Sequence, residues 1–533
     1  MKKIIYLLFL CISLNANAQR NVILIIADDL GSDYCGFYEN HLDTVAMPNV
    51  RRLLKKGVRF RNAWSNPLCS PTRAGILTGR YSFRTGVGTA VGGAGSAVLS
   101  TDEITIPKLL NIYSPNGIAK ANIGKWHLNL STPTSNYSIP NLLGYDHFEG
   151  SFSGGISSYT NWAKVTNSSV STNTNYATTE TADNAITWIK AQKDKPFFLW
   201  LAFNAPHTPY HLPPAGLYSD VSLSGTASDI TANPKKYFKA SVEALDHEIG
   251  RLFDSLESLQ KWDNTDIIFI GDNGNDPLSA QVSGGAKGSV YQEGVSVPFI
   301  ISGPSVVSPN RVSNALVNTQ DLFATILELM GATTWQNSIP ANKPVDSKSI
   351  LPILKNTAST IRPWAFTEVF KEPTVNGDGK AMRNTDYKLI SFDNCIQKFY
   401  NISVDTAENN NLLLGTLTAT ELTNYNYLRN EINTLVTSGV LCNINTGIDD
   451  EKSTKQSIII SPNPFQTEIT ITFSKEQKNT SIKIIDLLGK EIKTLKFTGK
   501  QLTIEKGEMQ SGIYFVQIKG ENTTAFSSKI ILQ

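Results

Sequence analysis

Four short apolar runs along the chain each stop at a cluster of polar residues. They are Val22–Ala27 before Asp28-Asp29, Ile118–Ile123 before Gly124-Lys125-Trp126-His127, Phe197–Phe203 before Asn204-Ala205-Pro206-His207, and Ile267–Ile270 before Gly271-Asp272-Asn273-Gly274. Apolar runs of this length are typical of strands buried on both faces of a largely parallel sheet, although Lys120 and Asn122 make the second run a poorer fit. Ligands of such sheets lie beyond the carboxyl ends of the strands. We therefore expect the four polar clusters to converge on one edge.

Other segments of the chain have apolar residues at helical spacing. The segments Thr179–Gln192 and Tyr237–Leu259 have this spacing, and Asp321–Ile326 also has a helical pattern. The pattern predicts an α/β fold in which helices flank a largely parallel sheet. From about Lys343 the runs become shorter, and Ala381–Arg383, Tyr387–Ile390 and Lys398–Ile402 predict a small antiparallel sheet.

The last part of the chain has a different pattern. The polar stretch Asp449–Lys455 reads as a linker. After it, Ile469–Phe473 alternates apolar and polar residues, and Ile484–Lys490 and Gly512–Val516 are further strand candidates. These segments predict a separate small β-sandwich.

Length and composition narrow the class of protein. The 533 residues, of which 41% are hydrophobic, are enough for two or more globular units. The net charge of +2 argues against a nucleic-acid partner held by a basic face. We therefore expect no nucleic-acid partner.

The amino terminus has the pattern of a signal peptide, residues 1–18. Lys2-Lys3 precede an apolar run from Ile4 to Leu14, and Ala16-Asn17-Ala18 offers a small-residue cleavage site. The run is shorter than the roughly 20 residues that a membrane-spanning helix needs, and no later segment is apolar enough, so we expect no transmembrane segment.

The chain has five cysteines, too few for a disulfide scaffold. Cys11 leaves with the signal peptide. A bridge between Cys395 and Cys442 and two unpaired thiols remain equal alternatives.

The run from Cys69-Ser70-Pro71-Thr72-Arg73 to Thr78-Gly79-Arg80 resembles the signature of the formylglycine-dependent (type I) sulfatases of the alkaline phosphatase superfamily. In that family the cysteine is oxidised to formylglycine (3-oxoalanine). This chain departs from the family signature at Thr72, where serine or alanine is commoner in the family. The strands after Lys343 look like the carboxyl-terminal subdomain of sulfatases, and residues 457–533 resemble the type IX secretion sorting domain of Bacteroidetes. A carbohydrate-binding or adhesion module is the alternative for that last part.

The resemblance implies a domain organisation. It consists of a signal peptide, a sulfatase catalytic domain, a sulfatase carboxyl-terminal subdomain, a linker and a sorting domain, at residues 1–18, 19–342, 343–446, 447–456 and 457–533. It implies a protein that is secreted or displayed at the cell surface, with the type IX machinery and a formylglycine-generating enzyme as partners.

The resemblance also implies the site residues. The catalytic set is Cys69, Arg73, Lys125, His127, His207 and Lys287. One Ca²⁺ would be held by Asp28, Asp29, Asp272, Asn273 and the modified Cys69, and the oxygen ligands of the first four suit a hard cation. Taken singly, Asp-Asp and Asp-Asn-Gly are commoner as turns, so only their joint occurrence after apolar runs supports the metal site.

The roles implied for these residues form one reaction. Hydrated formylglycine attacks sulfur, while Lys125 and Lys287 bind sulfate oxygens. His207 protonates the leaving alcohol with help from Lys287. His127 then removes the proton of the second hydroxyl of the hydrate. His147 and His211 lie near these segments and are candidates for contacting the sugar.

The substrate class and the competing functions follow from the same resemblance. We expect a sulfuric ester hydrolase acting on sulfated algal polysaccharide or oligosaccharide, of the ulvan, carrageenan or fucoidan type. Two alternatives stay open: a formylglycine-dependent phosphonate or phosphate ester hydrolase, and a non-catalytic glycan-binding surface protein on the same scaffold.

Overall fold

The structure is a computed structural model that describes residues 20–38, 41–93, 96–114, 117–282, 285–371, 378–436, 458–486, 490–520 and 523–533. The predicted signal peptide, the predicted linker and Cys442 lie outside the described residues. Backbone contacts divide the chain into two units, Met1–Ile444 and Asn445–Gln533.

A ten-stranded mixed sheet forms the centre of the first unit, in the spatial order β10-β2-β9-β8-β1-β7-β3-β4-β5-β6. Its strands, in chain order from β1 to β10, are Asn21–Ala27, Gly57–Trp64, Ala119–Gly124, His147–Gly150, Trp162–Thr166, Ser169–Asn173, Phe197–Ala202, Thr265–Gly271, Phe299–Ser302 and Arg311–Asn318. Strands β8, β1, β7, β3 and β4 run parallel in this block. The remaining pairs are antiparallel except β10 with β2.

Helices cover both faces of this sheet. The helices of the first unit, from α1 to α12, are Arg52–Lys55, Cys69–Thr78, Ser82–Thr85, Ile106–Tyr113, Ile139–Leu142, Ala177–Ala191, Ala227–Ala232, Pro234–Ser258, Gln292–Val295, Leu322–Leu329, Leu351–Leu354 and Ala419–Leu435, of which α12 packs elsewhere. Alternate residues of β1 enter opposite cores: Leu24 packs in one apolar cluster with α4 and α10, and Ile25 packs in the other with α6 and α8. Two-sided burial is the reason why the central strands are continuously apolar.

The four predicted strands are confirmed as β1, β3, β7 and β8, and the three predicted helices as α6, α8 and α10. The poorly fitting run forms β3 with one of its two polar side chains paired: Lys120 Nζ donates to Asp146 Oδ2 at 2.9 Å and to the Ile118 carbonyl at 2.8 Å. Since β8, β1, β7 and β3 are adjacent and parallel, the polar clusters that follow them lie at one edge of the sheet.

A second, four-stranded antiparallel sheet follows in the same unit, in the order β11-β12-β13-β14. Its strands are Ala365–Val369, Gly379–Arg383, Tyr387–Phe392 and Gln397–Asn401. Apolar residues of α12, including Tyr425 and Leu428, pack on it. The three predicted strands of the small antiparallel sheet are therefore confirmed, and β11 is an addition.

The second unit contains five antiparallel strands, β15 to β19, at Ile458–Ser461, Glu468–Asp486, Glu491–Glu505, Gly512–Gly520 and Thr523–Leu532. The long strand β16 pairs with β15, β17 and β18, so the strands share one hydrogen-bonded sheet around a single apolar cluster. Ile471, Ile484, Val516 and Ile530 are buried in that cluster.

Candidate active site

The polar residues that follow β1, β3, β7 and β8 meet at the carboxyl edge of the parallel block. Asp28, Asp29, Asp272 and Asn273 are fully buried there. The Asp29 amide donates to Asp272 Oδ1 at 3.1 Å, and Asn273 Nδ2 donates to Asp29 Oδ1 at 2.8 Å. These contacts join the ends of β1 and β8, two strands that are far apart in sequence.

Helix α2 brings Cys69 and Arg73 to the same place. Cys69 is the first helical residue, after Leu68 in extended conformation, and it is buried and unpaired. One turn later, Arg73 donates to Asp272 Oδ2 through Nε at 3.0 Å and Nη2 at 2.7 Å, and through Nη1 to the Lys125 carbonyl at 2.9 Å. This fork ties the helix to the ends of β8 and β3.

His127 faces Cys69 with a defined tautomer. Its Nδ1 lies 3.0 Å from Cys69 Sγ, and its Nε2 lies 2.9 Å from the Val91 carbonyl oxygen. Because a carbonyl oxygen only accepts, Nε2 carries the hydrogen and Nδ1 is left as the acceptor toward residue 69. Burial, together with the charge of Lys125, lowers the pKa of His127 well below its usual value, so the ring is neutral.

Three cations balance the three carboxylates: Arg73 and Lys125, which are buried, and Lys287, which is partly exposed. Lys125 Nζ contacts Asp28 Oδ2, and Lys287 Nζ lies 2.6 Å from Asp29 Oδ1. Burial raises the pKa of Asp29, but Lys287 and His207 outweigh it and hold the pKa below its usual value. Burial raises the pKa of Asp28 to about 7 even though Lys125 opposes it.

The donor set fits a hard divalent cation. Asp28 Oδ1 and Asn273 Oδ1 are buried and have no hydrogen-bond partner among the described residues. The Asn273 amide nitrogen is occupied by Asp29 and the Gly274 carbonyl, which fixes the orientation of its oxygen. Ligand atoms of Asp28, Cys69 and Asp272 lie within 4.8 Å of one another. A carboxylate oxygen and an amide oxygen, both buried and without a hydrogen-bond partner, match the ligands that calcium prefers.

His207 occupies a more open position beside Asp29. Its side chain is 19% exposed, and its Nε2 lies 3.7 Å from Asp29 Oδ2. Its Nδ1 donates to the Thr208 carbonyl oxygen at 2.7 Å, so Nε2 is the nitrogen that faces the site. Burial lowers the pKa of His207, and the charges of Asp29 and Asp28 oppose that effect.

The two histidines named as sugar-contact candidates have other neighbours. His211 is stacked on Tyr159 with ring centroids 3.9 Å apart, and its nitrogens contact the Tyr176 hydroxyl and the Pro209 carbonyl, each at 3.0 Å. Burial lowers the pKa of His211 to about 4. His147 Nε2 lies 3.1 Å from Glu149 Oε2.

Several residues that support the site were not identified from the sequence. Ser70 Oγ donates to the His127 carbonyl at 2.7 Å and accepts from the Val91 amide at 3.0 Å. A Cβ on Gly154 would lie 2.3 Å from His127 Nε2, so the backbone passes directly against that ring.

Models of three known protein families together match nearly the whole described chain. Residues 20–332 match the Sulfatase family, and residues 286–436 match the family described as N-sulphoglucosamine sulphohydrolase, C-terminal. Residues 459–533 match the family described as Secretion system C-terminal sorting domain. This last match indicates type IX secretion, and no helix in the described part of the chain combines the length and apolarity needed to cross a membrane.

Individual proteins give the same picture. The chain is 29% identical over 378 residues to N-acetylgalactosamine-6-sulfatase of Homo sapiens, covering 64% of this chain and 67% of that one. It is 27% identical over 430 residues to steryl-sulfatase of Mus musculus, covering 63% and 65%. The crystal structure of Ps i-CgsB in complex with k-i-k-neocarrahexaose superposes with a TM-score of 0.65 at 25% identity, covering 78% of this chain and 92% of that one.

Proposed function

The chain belongs to the sulfatase family, whose members hydrolyse sulfate esters, and on that premise we propose that it removes sulfate from algal glycans of the carrageenan, fucoidan or ulvan type. The observation that carries the proposal is the buried group of Cys69, His127, Arg73 and three carboxylates at one sheet edge. The neocarrahexaose bound by Ps i-CgsB supports an oligosaccharide substrate, and the sorting domain supports action outside the cell.

Residue 69 and His127 form the nucleophilic part of the proposed mechanism. Once Cys69 is oxidised to formylglycine by a maturation enzyme, its hydrate supplies the hydroxyl that attacks sulfur. The unprotonated Nδ1 of neutral His127 lies 3.0 Å from Cys69 Sγ, the atom that oxidation replaces with oxygen. After the alcohol has left, His127 would accept the proton of the second hydroxyl there, so that the bond to the sulfate oxygen breaks, sulfate departs and the aldehyde is restored. Arg73 keeps helix α2, and therefore residue 69, at a fixed distance from Asp272.

Charge at the site is the second element. Asp28, Asp29, Asp272, Asn273 and residue 69 would hold one calcium ion, which supplies positive charge next to the sulfate oxygens. Lys125 and Lys287 lie beside the same carboxylates, and we assign to them the binding of sulfate oxygens. Burial makes each of these charges more effective than it would be in water.

The leaving alcohol requires a proton, because a sugar alkoxide is a poor leaving group. We assign this task to the doubly protonated form of His207, whose Nε2–H would face the site on its solvent-accessible side, with Lys287 adjacent to it; the charges of Asp29 and Asp28 favour this form. His147 and His211 remain candidates for sugar contacts, His211 through the exposed part of its ring.

The proposed domain boundaries are those given by the sequence: catalytic domain 19–342, carboxyl-terminal subdomain 343–446, linker 447–456 and sorting domain 457–533. The division at Ile444 supports a boundary close to the proposed linker. The signal peptide at residues 1–18 and an origin in Bacteroidetes complete the proposal.

Sulfate release from defined substrates tests this function. The full chain is produced with a formylglycine-generating enzyme, and mass spectrometry of the peptide containing residue 69 measures conversion. Sulfated oligosaccharides of carrageenan, fucoidan and ulvan, an aryl sulfate, and the matching phosphate and phosphonate esters are then compared, with Cys69→Ala as control.

The outcomes separate the three functions. Release of sulfate from a glycan by the matured enzyme and none by Cys69→Ala would support the proposal. Preferential cleavage of phosphonate or phosphate esters would replace it with the related hydrolase. Native protein without formylglycine that binds a glycan without turnover would replace it with a non-catalytic binding role.

A further inference from the structure

The loop of residues 151–162, between β4 and β5, lies against both active-site histidines. At its start, Ser151 Oγ donates to Asn204 Oδ1 at 3.0 Å. A Cβ on Gly154 would meet the His127 ring, and a Cβ on Gly155 would lie 3.7 Å from His207 Cε1. This loop has no part in the mechanism described above, although it contacts the residues proposed to move protons.

Tyr159 of this loop binds the backbone of the turn that carries His207. Its hydroxyl lies 2.8 Å from the Asn204 carbonyl oxygen and 2.7 Å from the His207 carbonyl oxygen, and one phenolic proton serves both. The same turn is closed by the His207 amide, which donates to the Asn204 carbonyl at 2.9 Å. The Tyr159 hydroxyl therefore joins the two ends of a single turn.

The ring of Tyr159 is itself fixed in place. It is 2% exposed and stacks on His211, whose Nε2 contacts the Tyr176 hydroxyl. The Tyr159 carbonyl accepts the amide of Ala177, the first residue of α6. Tyr159 thus connects helix α6 to the His207 turn, and an immobile phenol can hold that turn in one position.

We propose that Tyr159 is a positioning residue for proton donation by His207, and that it acts through the backbone of residues 204–207. The inference rests on the proposed function of His207. A displaced proton donor penalises the departure of a strongly basic alcohol, whereas a leaving group that is stable as an anion departs without help. Loss of the Tyr159 hydroxyl should therefore slow the two substrate types by different amounts.

The test compares Tyr159→Phe with the wild type on two sulfate esters, using full-length matured protein. One is the sugar sulfate that the wild type cleaves, and the other is 4-nitrophenyl sulfate, whose phenolate leaves readily. We expect kcat for the sugar sulfate to fall by about tenfold, and kcat for the aryl sulfate by less than about twofold.

Two further variants strengthen the test. Tyr38→Phe removes a hydroxyl of a tyrosine that is 3% exposed and whose hydroxyl contacts the backbone of Phe299, not the His207 turn or its neighbours, so both substrates should retain their wild-type rates. Ser151→Ala removes the side-chain hydrogen bond to Asn204 Oδ1 and should reproduce the substrate dependence at about threefold. This variant keeps the test valid if Tyr159→Phe has a lower melting temperature than the wild type.

Formylglycine content and melting temperature are measured for every variant. An equal loss on both substrates, in Tyr159→Phe or in Ser151→Ala, would overturn the positioning role while leaving the proposed function intact. Absence of sulfate release by fully matured wild type would overturn the proposed function and this inference with it.

Discussion

The two sides of the candidate site differ in how completely their side chains are held. On the nucleophile side, Cys69, Arg73, Lys125 and His127 are buried, and both nitrogens of His127 have fixed partners. On the leaving-group side, His207 and Lys287 are 19% and 14% exposed. Under the proposed mechanism, the closed side binds the sulfate group that every substrate shares, and the more open side receives the alcohol. That mechanism would separate the common chemistry from substrate choice.

We expect the largest loss of activity from a substitution on the nucleophile side. Cys69→Ala removes the side chain that becomes formylglycine, so we expect at least a thousandfold loss of sulfate release on sugar and aryl substrates alike. Circular dichroism should show a folded protein, because residue 69 is one small residue at a helix start. Substantial residual turnover would contradict the nucleophile assignment.

The second largest loss of activity is expected from removal of the proton donor on the leaving-group side. His207→Ala should reduce kcat for a sugar sulfate by about 10²–10⁴-fold, and the rate for an aryl sulfate by much less. Initial rates on the two substrates measure the difference. If both rates fell by the same factor, His207 would have a role other than protonating the leaving alcohol.

Removal of the metal tests the carboxylates that join both sides. Dialysis against a calcium chelator should abolish activity and lower the melting temperature, because a ligand bound by the folded state is lost and the buried oxygens Asp28 Oδ1 and Asn273 Oδ1 are left without a partner. Added Ca²⁺ should restore both properties, whereas Zn²⁺ should not, since the donors are oxygens. An unchanged melting temperature after complete removal of calcium would argue against the site.

A matched pair of glycine substitutions sharpens the contrast between held and open histidines. Gly154→Ala should cost about 30-fold in kcat, because its Cβ would overlap His127 Nε2, and that ring has fixed partners on both nitrogens. Gly155→Ala places its Cβ at an ordinary 3.7 Å from His207 and should cost less than about threefold.

Steady-state rates of both variants on one sugar sulfate provide the measurement. Equal losses would mean that the two histidines are equally constrained, and the distinction between the two sides would fail.

Much of the central fold was predictable because buried parallel strands are continuously apolar. The runs that became β1, β7 and β8 are visible for this reason. Strands β2 and β10 were not identified, since each contains exposed or half-buried polar residues whose pairing depends on distant partners. Strand β3 was a poor match because it contains the polar residue Lys120. Its pairing partner in the fold, Asp146, is 26 residues away and cannot be identified from the strand itself.

The sequence by itself determined the family, the order of the polar clusters and their position after four apolar runs. Those features are local: a strand ends, and the residues that follow it carry the chemistry. Tertiary structure alone decided which nitrogen of His127 faces residue 69, that Gly154 lies against that ring, and that Tyr159 binds the His207 turn. These depend on contacts between segments separated by tens of residues, and a hydrogen bond requires a geometry that no single segment specifies.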